Sequence, residues 1–437
     1  MTSKWTAVLL FLAACGEAVA PPPAVVRQST PAARNLTTQT FFGPERFTRS
    51  TGSPNRFSRT ISTAGSIGPF TLHVANGAAD GSSRVSSGRV TLDGVELLRP
   101  RDFSQDQSEW NIPVTLGAFA TLVVELTSKP GSFLEVSLSR DVSFLYVATG
   151  GTTVSVVDPF ANAVVGTASV GESPYGLAVT PNGARLYAAI TDGTVQAVST
   201  ATNAVVATVK VSDTFVPGVA VSPNGQFVYA VIPDSDKVAV ISTATNTLVA
   251  MVAVGSYPGG RPTVSPNGNF VYITNYFGNS VSVISAASNT VVATLPTGPN
   301  PSAVGVTPNG SFVYVGHATP SSEDTVSVFS TATNAEVAKI VVGDGHSAMA
   351  FTPSGALLYV ANERTASVSI IETATNTELA TIPVGNNPVS MAITPDGAFI
   401  YVPNFNSNSV SVISTATNTV VATIPVSGQP VAVAIRP

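Results

Sequence analysis

Cysteine is almost absent from this 437-residue chain, whose single cysteine is Cys15. A protein with one cysteine forms no internal disulfide, so its stability has to come from packing. A catalytic thiol is also excluded, because Cys15 lies in a leader segment described below. Histidine is nearly as scarce, with three in the chain, so few side chains suit acid–base catalysis or metal binding.

Charge is also sparse, since 10% of the residues are charged and 44% are hydrophobic. The net charge of −5 is unevenly spread, because residues 142–437 hold 7 Lys and Arg against 14 Asp and Glu. So acidic a segment is a poor partner for nucleic acid. The sequence has no glycine-rich phosphate loop and no serine elbow after a strand. These absences predict a protein that is not an enzyme and that uses no cofactor.

The apolar run at the start of the chain, residues 5–14, is too short for a helix that spans a bilayer. With a lysine before it and small residues after it, the run is typical of an export signal. Residues 12–15, Leu-Ala-Ala-Cys, resemble a bacterial lipobox, in which the cysteine is acylated and becomes the mature N-terminus. Cleavage of an ordinary signal peptide after Ala20 is the alternative. We expect a leader over residues 1–15, lipidation of Cys15, and anchoring to the cell envelope, at the outer membrane or cell surface.

Residues 16–54 are rich in Pro, Ala, Ser, Thr and Arg and show no helical or strand period, which predicts an extended tether. From residue 55 to residue 139, seven short alternating runs are separated by turn residues. Asp93-Gly94 between two of them indicates a hairpin, because a type I′ turn needs positive φ at both positions. The pattern predicts a β-sandwich over residues 55–139, serving as a spacer or adhesion module.

Residues 140–437 consist of one unit written seven times. A tyrosine recurs every 41 to 45 residues, and an asparagine keeps step with it. Each unit holds four short apolar runs, which we name strands A to D. Four strands in about 40 residues make one propeller blade, so the sequence predicts an all-β protein with a seven-bladed β-propeller. The tyrosines are Tyr146, Tyr187, Tyr229, Tyr272, Tyr314, Tyr359 and Tyr401, and the asparagines are Asn162, Asn203, Asn246, Asn289, Asn334, Asn376 and Asn418.

The units are similar to those of the YVTN β-propeller family, which is named for the segment that starts at the tyrosine. In unit 4 this segment is Tyr272-Ile273-Thr274-Asn275, and units 6 and 7 end it with Asn362 and Asn404. Units 1 to 3 depart from the pattern, and unit 5 has His317 in place of the asparagine. The resemblance extends over residues 140–437. It implies a bacterial surface protein with an accessory β-sandwich domain.

The end of the chain predicts how the ring closes. Residues 431–437 repeat a strand A, but no strands B to D follow them. The first unit begins with strand B at residues 144–147. We therefore predict that the C-terminal strand completes blade 1 and covers the edges that an open array would expose. Residues 135–140 are the alternative source of this strand.

The two ends of the propeller blades carry different loops. The A–B and C–D turns share one end and repeat closely in sequence, and their Pro, Gly, Asn and Thr residues have a structural explanation. The D–A and B–C loops share the other end, which we name the loop face. These loops vary between units and hold nine of the propeller's 14 acidic residues. The aromatic residues expected to be exposed there are Tyr175, Phe215, Tyr257, Tyr276, Phe277 and Phe405.

Three polar residues of the propeller have distinctive positions. Arg261 is the one charged residue at its place in strand A, so it is expected near the central channel, paired with an acid such as Asp213 or holding an anionic group. His317 and His346 map to the loop face near acidic residues. Their spacing matches no metal motif, so we predict a surface pair without function and no bound metal. The alternative is a metal-dependent lyase or hydrolase that uses both histidines.

These observations predict an envelope-anchored, secreted binding or scaffolding protein. The loop face is expected to bind a protein, peptide or glycan at the cell surface. Contact with the membrane is expected only through the lipid anchor, and none with nucleic acid. The candidate binding residues are Tyr175, Phe215, Tyr257, Arg261, Tyr276, His317 and His346.

Overall fold

The structure is a computed structural model, and it describes residues 37–63, 68–104, 106–117, 119–142, 144–159, 161–318 and 324–436. Cys15 and the predicted leader lie outside these residues. Within them the chain is all-β, and its only helices are three 3₁₀ turns: Pro100–Asp102, Pro233–Ser235 and Phe405–Ser407. None of the described helices is long and apolar enough to cross a membrane.

The first domain is a sandwich of two four-stranded antiparallel sheets. The sheet orders are β1-β8-β3-β6 and β2-β7-β4-β5. Inward-facing residues such as Leu72, Val74, Leu122 and Val124 form one core between the sheets, because alternate residues of a strand point to opposite faces. The strands are β1 Thr37–Thr48, β2 Asn55–Ser62, β3 Gly68–Asn76, β4 Gly88–Leu92, β5 Val95–Leu98, β6 Glu109–Leu116, β7 Phe119–Leu126 and β8 Phe133–Val142.

Strand β1 corrects the predicted tether. Residues 37–48 were expected to be extended and unpaired, but they pair with β8. The register of β1 shifts between Thr40 and Phe42 and again between Phe42 and Glu45. Such irregularities interrupt the period of two by which a strand is recognised in sequence. The described sandwich therefore has eight strands instead of seven.

The second domain is a seven-bladed β-propeller of four-stranded antiparallel sheets, with strand A beside the channel and strand D at the rim. Most residues of strands B and C are buried, because neighbouring blades cover both faces. Strands A to D are, in blade 1, Pro430–Ile435, Leu145–Thr149, Thr153–Asp158 and Ala163–Ser169; in blade 2, Pro174–Val179, Arg185–Ile190, Thr194–Ser199 and Val205–Lys210; in blade 3, Val219–Val221, Phe227–Ile232, Lys237–Ser242 and Thr247–Ala253; in blade 4, Pro258–Val264, Phe270–Asn275, Ser280–Ser285 and Thr290–Pro296; in blade 5, Pro301–Val306, Phe312–His317, Thr325–Ser330 and Glu336–Val341; in blade 6, His346–Phe351, Leu357–Asn362, Ser367–Glu372 and Thr377–Pro383; in blade 7, Ala392–Ile393, Phe399–Asn404, Ser409–Ser414 and Thr419–Pro425.

The prediction of how the ring closes is confirmed. Pro430–Ile435 pairs antiparallel with strand B of blade 1, and Val433 lies opposite Val147. Val433 also packs with Tyr401 and Val412 of blade 7, in one of seven apolar clusters that join neighbouring blades. Residues 135–140, the alternative source of this strand, belong to β8 of the sandwich.

Candidate functional site

Two groups of aromatic side chains lie on the loop face. Tyr175 of blade 2 and Phe215 of the loop into blade 3 meet edge to face, with ring centroids 4.8 Å apart. In blade 4, Phe277 packs against Tyr257 at 4.7 Å and against Tyr276 at 5.2 Å. Tyr175, Tyr257 and Phe277 are 41%, 40% and 63% exposed. Clustered exposed rings, unlike scattered ones, are typical of binding surfaces.

The backbone of Tyr257 has a conformation that tyrosine rarely adopts, with φ of 51°. The equivalent turn positions in blades 2, 5 and 7 hold Ser173, Asn300 and Asn387, also at positive φ. Left-handed backbone costs a bulky residue on the order of 1–3 kcal/mol, whereas asparagine tolerates it well. The turn is held by Tyr257 N, which donates to Asp236 Oδ1 at 2.7 Å. A strained tyrosine in an exposed turn points to a functional reason for the ring.

Arg261 extends from strand A of blade 4 across the central channel. Its Nη2 donates to Val431 O at 2.9 Å, and its Nη1 donates to Ser390 Oγ. Val431 and Ser390 belong to blades 1 and 7, which lie opposite blade 4 in a ring of seven. The predicted pairing with Asp213 is wrong, because the hydrogen bonds of Arg261 go to blades 1 and 7 instead. Asp213 lies 3.6 Å from the ammonium group of Lys210 in blade 2.

The asparagine that ends the repeat segment in blades 4, 6 and 7 is buried and structural. Asn275 Nδ2 donates to Ser282 Oγ at 3.0 Å, and Asn362 and Asn404 make the same bond at 2.8 and 2.9 Å to the equivalent serines. A Cβ atom on Gly255 of the D–A loop would lie 2.6 Å from the Asn275 side chain. The asparagine therefore packs directly under this loop and joins it to strand C.

His317 occupies the position of this asparagine in blade 5 and is 2% exposed. Its Nδ1 lies 3.2 Å from Pro299 O, and its Nε2 lies 3.1 Å from Ser327 Oγ. Because a carbonyl only accepts, Nδ1 carries the proton and Nε2 accepts from Ser327. Burial lowers the pKa of His317, which keeps the ring neutral. The prediction of a surface histidine is therefore wrong, although its spacing from Tyr314 already placed it at a core position.

His346 is also buried, at the start of strand A in blade 6. Its Nε2 donates to Gly343 O at 2.7 Å, and burial lowers its pKa. The nearby Asp324 is buried and accepts from Gly345 N at 2.7 Å. In the described part of the chain no group of three His, Cys, Asp or Glu residues is placed to hold a metal. The two histidines are therefore not arranged as the metal ligands that the alternative prediction needs.

Some acidic residues of the loop face stabilise the loops in which they lie. Asp192 Oδ1 accepts from Thr194 N at 2.9 Å, and Asp344 forms an ion pair with Arg364 at 2.9 Å. Phe405, expected to be exposed, packs partly buried against the cluster between blades 1 and 2. Among the described residues, the two aromatic groups and Arg261 are therefore the candidate binding features of this face.

The fold and its loop face define a seven-bladed β-propeller, and the comparisons agree with this class. The family model described as "Lactonase, 7-bladed beta-propeller" matches residues 219–382, which span blades 3 to 6. Among solved structures, "Kuenenia stuttgartiensis Hydrazine Synthase" is similar, with a TM-score of 0.57 and 25% identity over 61% of this chain and 90% of that chain. No curated protein matches. Because 1710 chains of solved structures match, the fold alone does not define an activity.

The family match corrects one prediction from the sequence. The scarcity of catalytic side chains predicted that the protein is not an enzyme. Residues 219–382 instead resemble a family described as lactonases, and a lactonase is a hydrolase. Sequence reasoning missed this signal because propeller sites are assembled from loops far apart in the chain and leave no contiguous motif.

Proposed function

We propose that the loop face binds a protein, peptide or glycan through the aromatic groups of blades 2 to 4. The observation that carries this proposal is the clustering of Tyr175, Tyr257 and Phe277, all exposed by 40% or more. Aromatic rings offer large contact areas at a small cost in conformational entropy, so they dominate many binding sites. The strained backbone of Tyr257 supports the same reading.

The test compares full-length protein with the double variant Tyr257→Ser, Phe277→Ser on glycan and peptide arrays. Phe119→Ser is the matched control, because Phe119 is 69% exposed on β7 of the sandwich, away from the loop face. We expect array ligands that bind the wild type and the control to lose most of their signal with the double variant. Equal signals for all three proteins, or no ligand for the wild type, would contradict the proposal.

We further propose that the propeller consists of YVTN-type repeats and that its loop face is displayed at the cell envelope. Its support is the lipobox-like segment at residues 12–15 and the repeat pattern of the propeller. Acylation of Cys15 would anchor the chain, so Cys15→Ser is expected to move the protein from the membrane fraction to the soluble fraction. Retention of that variant on membranes after a high-salt wash would count against the anchor.

A second candidate function is hydrolysis of a lactone, which the match over residues 219–382 favours. In this reaction water adds to the ester carbonyl, the ring C–O bond breaks, and a hydroxy acid forms. A guanidinium such as that of Arg261 suits the carboxylate product. The test is a pH-indicator assay with γ- and δ-lactones, in which turnover above the spontaneous rate is expected to fall in Arg261→Met. No turnover by the wild type would contradict this candidate.

A further inference from the structure

Strand A of blade 4 is one residue longer than its counterparts. Residues 258–265, from the first proline of the strand to the serine of the A–B turn, correspond to residues 174–180 in blade 2 and 301–307 in blade 5. The extra residue is absorbed as a bulge, because the register with strand B is broken there and Gly260 has φ of 66°. Bulges re-aim side chains. This one directs Arg261 into the channel.

Among the residues that the structure describes, the guanidinium of Arg261 has neutral partners only. Its two hydrogen bonds go to the Ser390 hydroxyl and the Val431 carbonyl, and the Ser390 hydroxyl also accepts from Val433 N at 3.3 Å. Of the five N–H groups of an arginine, three remain without a hydrogen bond to the described residues. Arg261 therefore crosses the channel of the propeller and keeps N–H groups that can donate to a ligand.

Even partial burial is unfavourable for a charge that has no counterion among the described residues. In the part of the chain that the structure describes, no carboxylate lies within ion-pair distance of Arg261. Loss of hydration is the main cause that lowers the pKa of Arg261 to about 10. A charge in this state gains more from a bound anion than a surface arginine does, because less water competes for it.

We propose that Arg261 binds the carboxylate of a ligand that enters the channel from the loop face, beside Tyr175. The inference rests on the proposed function, since it uses the same face and names the ligand's chemical group. A planar guanidinium fork matches a carboxylate in shape, and one positive charge balances a monoanion. A phosphate dianion would leave an uncompensated charge. A free hydroxy acid and the C-terminus of a peptide both supply this group.

The test is calorimetric titration of the full chain at constant ionic strength with three probes. These are gluconate, acetylated trialanine with a free carboxylate, and the same peptide as its C-terminal amide. We expect one of the two carboxylates to bind the wild type and the amide not to bind. Arg261→Met should weaken that binding by about tenfold or more, and Arg261→Lys should weaken it less because it keeps the charge without the fork. Circular dichroism checks that the variants are folded.

Each outcome decides a point. Binding of gluconate alone identifies a small acid, and binding of the free peptide alone identifies a C-terminus. Equal affinity of the wild type and Arg261→Met, or no carboxylate binding at all, would overturn the inference. Arg261 would then have only a structural role, as a hydrogen-bond donor to blades 1 and 7. Phe119→Ser, the control on the sandwich, should keep its affinity for the carboxylate that binds within about twofold. Loss of array ligands in Tyr257→Ser, Phe277→Ser tests the aromatic surface, and loss of carboxylate binding in Arg261→Met tests the channel, so the failure of one proposal is distinguished from the failure of the other.

Discussion

At the scale of single residues, the position within the repeat decides what a side chain does. His317 is an ionisable residue on the loop side of a blade, yet it makes the hydrogen bond to a serine of strand C that Asn275 makes in blade 4. Tyr257, by contrast, occupies a turn position that holds serine or asparagine in blades 2, 5 and 7. Its exposed ring is therefore accompanied by a strained, left-handed backbone. His317 therefore takes the structural role of the repeat residue that it replaces, whereas Tyr257 does not suit the backbone conformation of its turn.

The neutral state of His317 predicts a pH dependence of stability. Its folded pKa lies below the ordinary value of 6.5, so between these pKa values the unfolded chain binds more protons. The free energy of unfolding should therefore fall as pH drops below about 6.5, and His317 alone contributes up to about 1.4 kcal/mol per pH unit. His317→Asn restores the repeat residue and should reduce this slope, and His346, whose pKa is also lowered by burial, should contribute in the same direction. Urea unfolding at pH 7.5 and 5.5 measures it, and an unchanged slope would refute the coupling.

The strain at Tyr257 predicts a trade between stability and binding. Tyr257→Asn should raise the free energy of unfolding by about 0.5–1 kcal/mol, because asparagine tolerates left-handed backbone. The same change removes an exposed ring and should weaken binding of the array ligands. Denaturant unfolding and the arrays measure the two effects. A variant less stable than the wild type would show that the ring stabilises the fold.

At the scale of elements, a hydrogen bond joins strand B of one blade to the C–D turn of the next. Tyr359 Oη donates to Asn418 Oδ1 at 2.7 Å, and Tyr187 and Tyr314 make the same bond to the asparagine of the next blade. The acceptor asparagines lie in the C–D turns at positive φ, a backbone conformation that asparagine tolerates. The repeat tyrosine and asparagine are thus a contact pair between blades, which explains why they keep step along the chain.

This contact predicts different costs for the same substitution in two blades. Tyr359→Phe removes the donor and leaves Asn418 Oδ1 without it, which should cost about 1 kcal/mol. Tyr229 is the matched control, because its buried hydroxyl has no hydrogen-bond partner among the described residues. Tyr229→Phe should be neutral or slightly stabilising. Guanidinium unfolding of the two variants measures the difference, and equal losses would mean that the hydrogen bond contributes little.

At the scale of the whole molecule, contacts between distant segments hold the parts together. The C-terminal strand completes blade 1 by pairing with its strand B, which lies nearly 290 residues earlier in the chain. Arg140 at the end of the sandwich forms a buried ion pair with Asp158 of blade 1 at 3.1 Å. Breaking one side of such a buried pair typically costs about 3–5 kcal/mol. The ion pair between Arg140 and Asp158 therefore helps to hold the end of the sandwich against blade 1.

Deletion of residues 431–437 tests the closure. It removes buried Val433 and exposes the edge of strand Leu145–Thr149, so the melting temperature should fall by about 5–10 °C and the protein should self-associate. Val433→Asp should reproduce most of the loss. Val421→Asp is its control, because Val421 is 53% exposed on a rim strand. Calorimetry and size-exclusion chromatography measure both effects, and a monomer that melts within two degrees of the wild type would disprove the role of this strand.

The sequence by itself determined the elements that depend on neighbouring residues. Period, turn chemistry and alternation predicted 28 propeller strands in seven units and seven of the eight sandwich strands. The C-terminal copy of strand A was enough to predict its partner, because only one blade lacked that strand. β1 was missed, because its register shifts interrupt the alternation.

Only the tertiary structure decided which polar groups are free. The sequence predicted that Arg261, His317 and His346 share one face, but it did not predict their hydrogen-bond partners, which include a backbone carbonyl for each of the three. The partners of Arg261 lie about 130 and 170 residues away, across the channel. Burial of a side chain depends on how the blades close around it, so the sequence could place the candidate site on the loop face without telling a structural histidine from an arginine whose donors are only partly used.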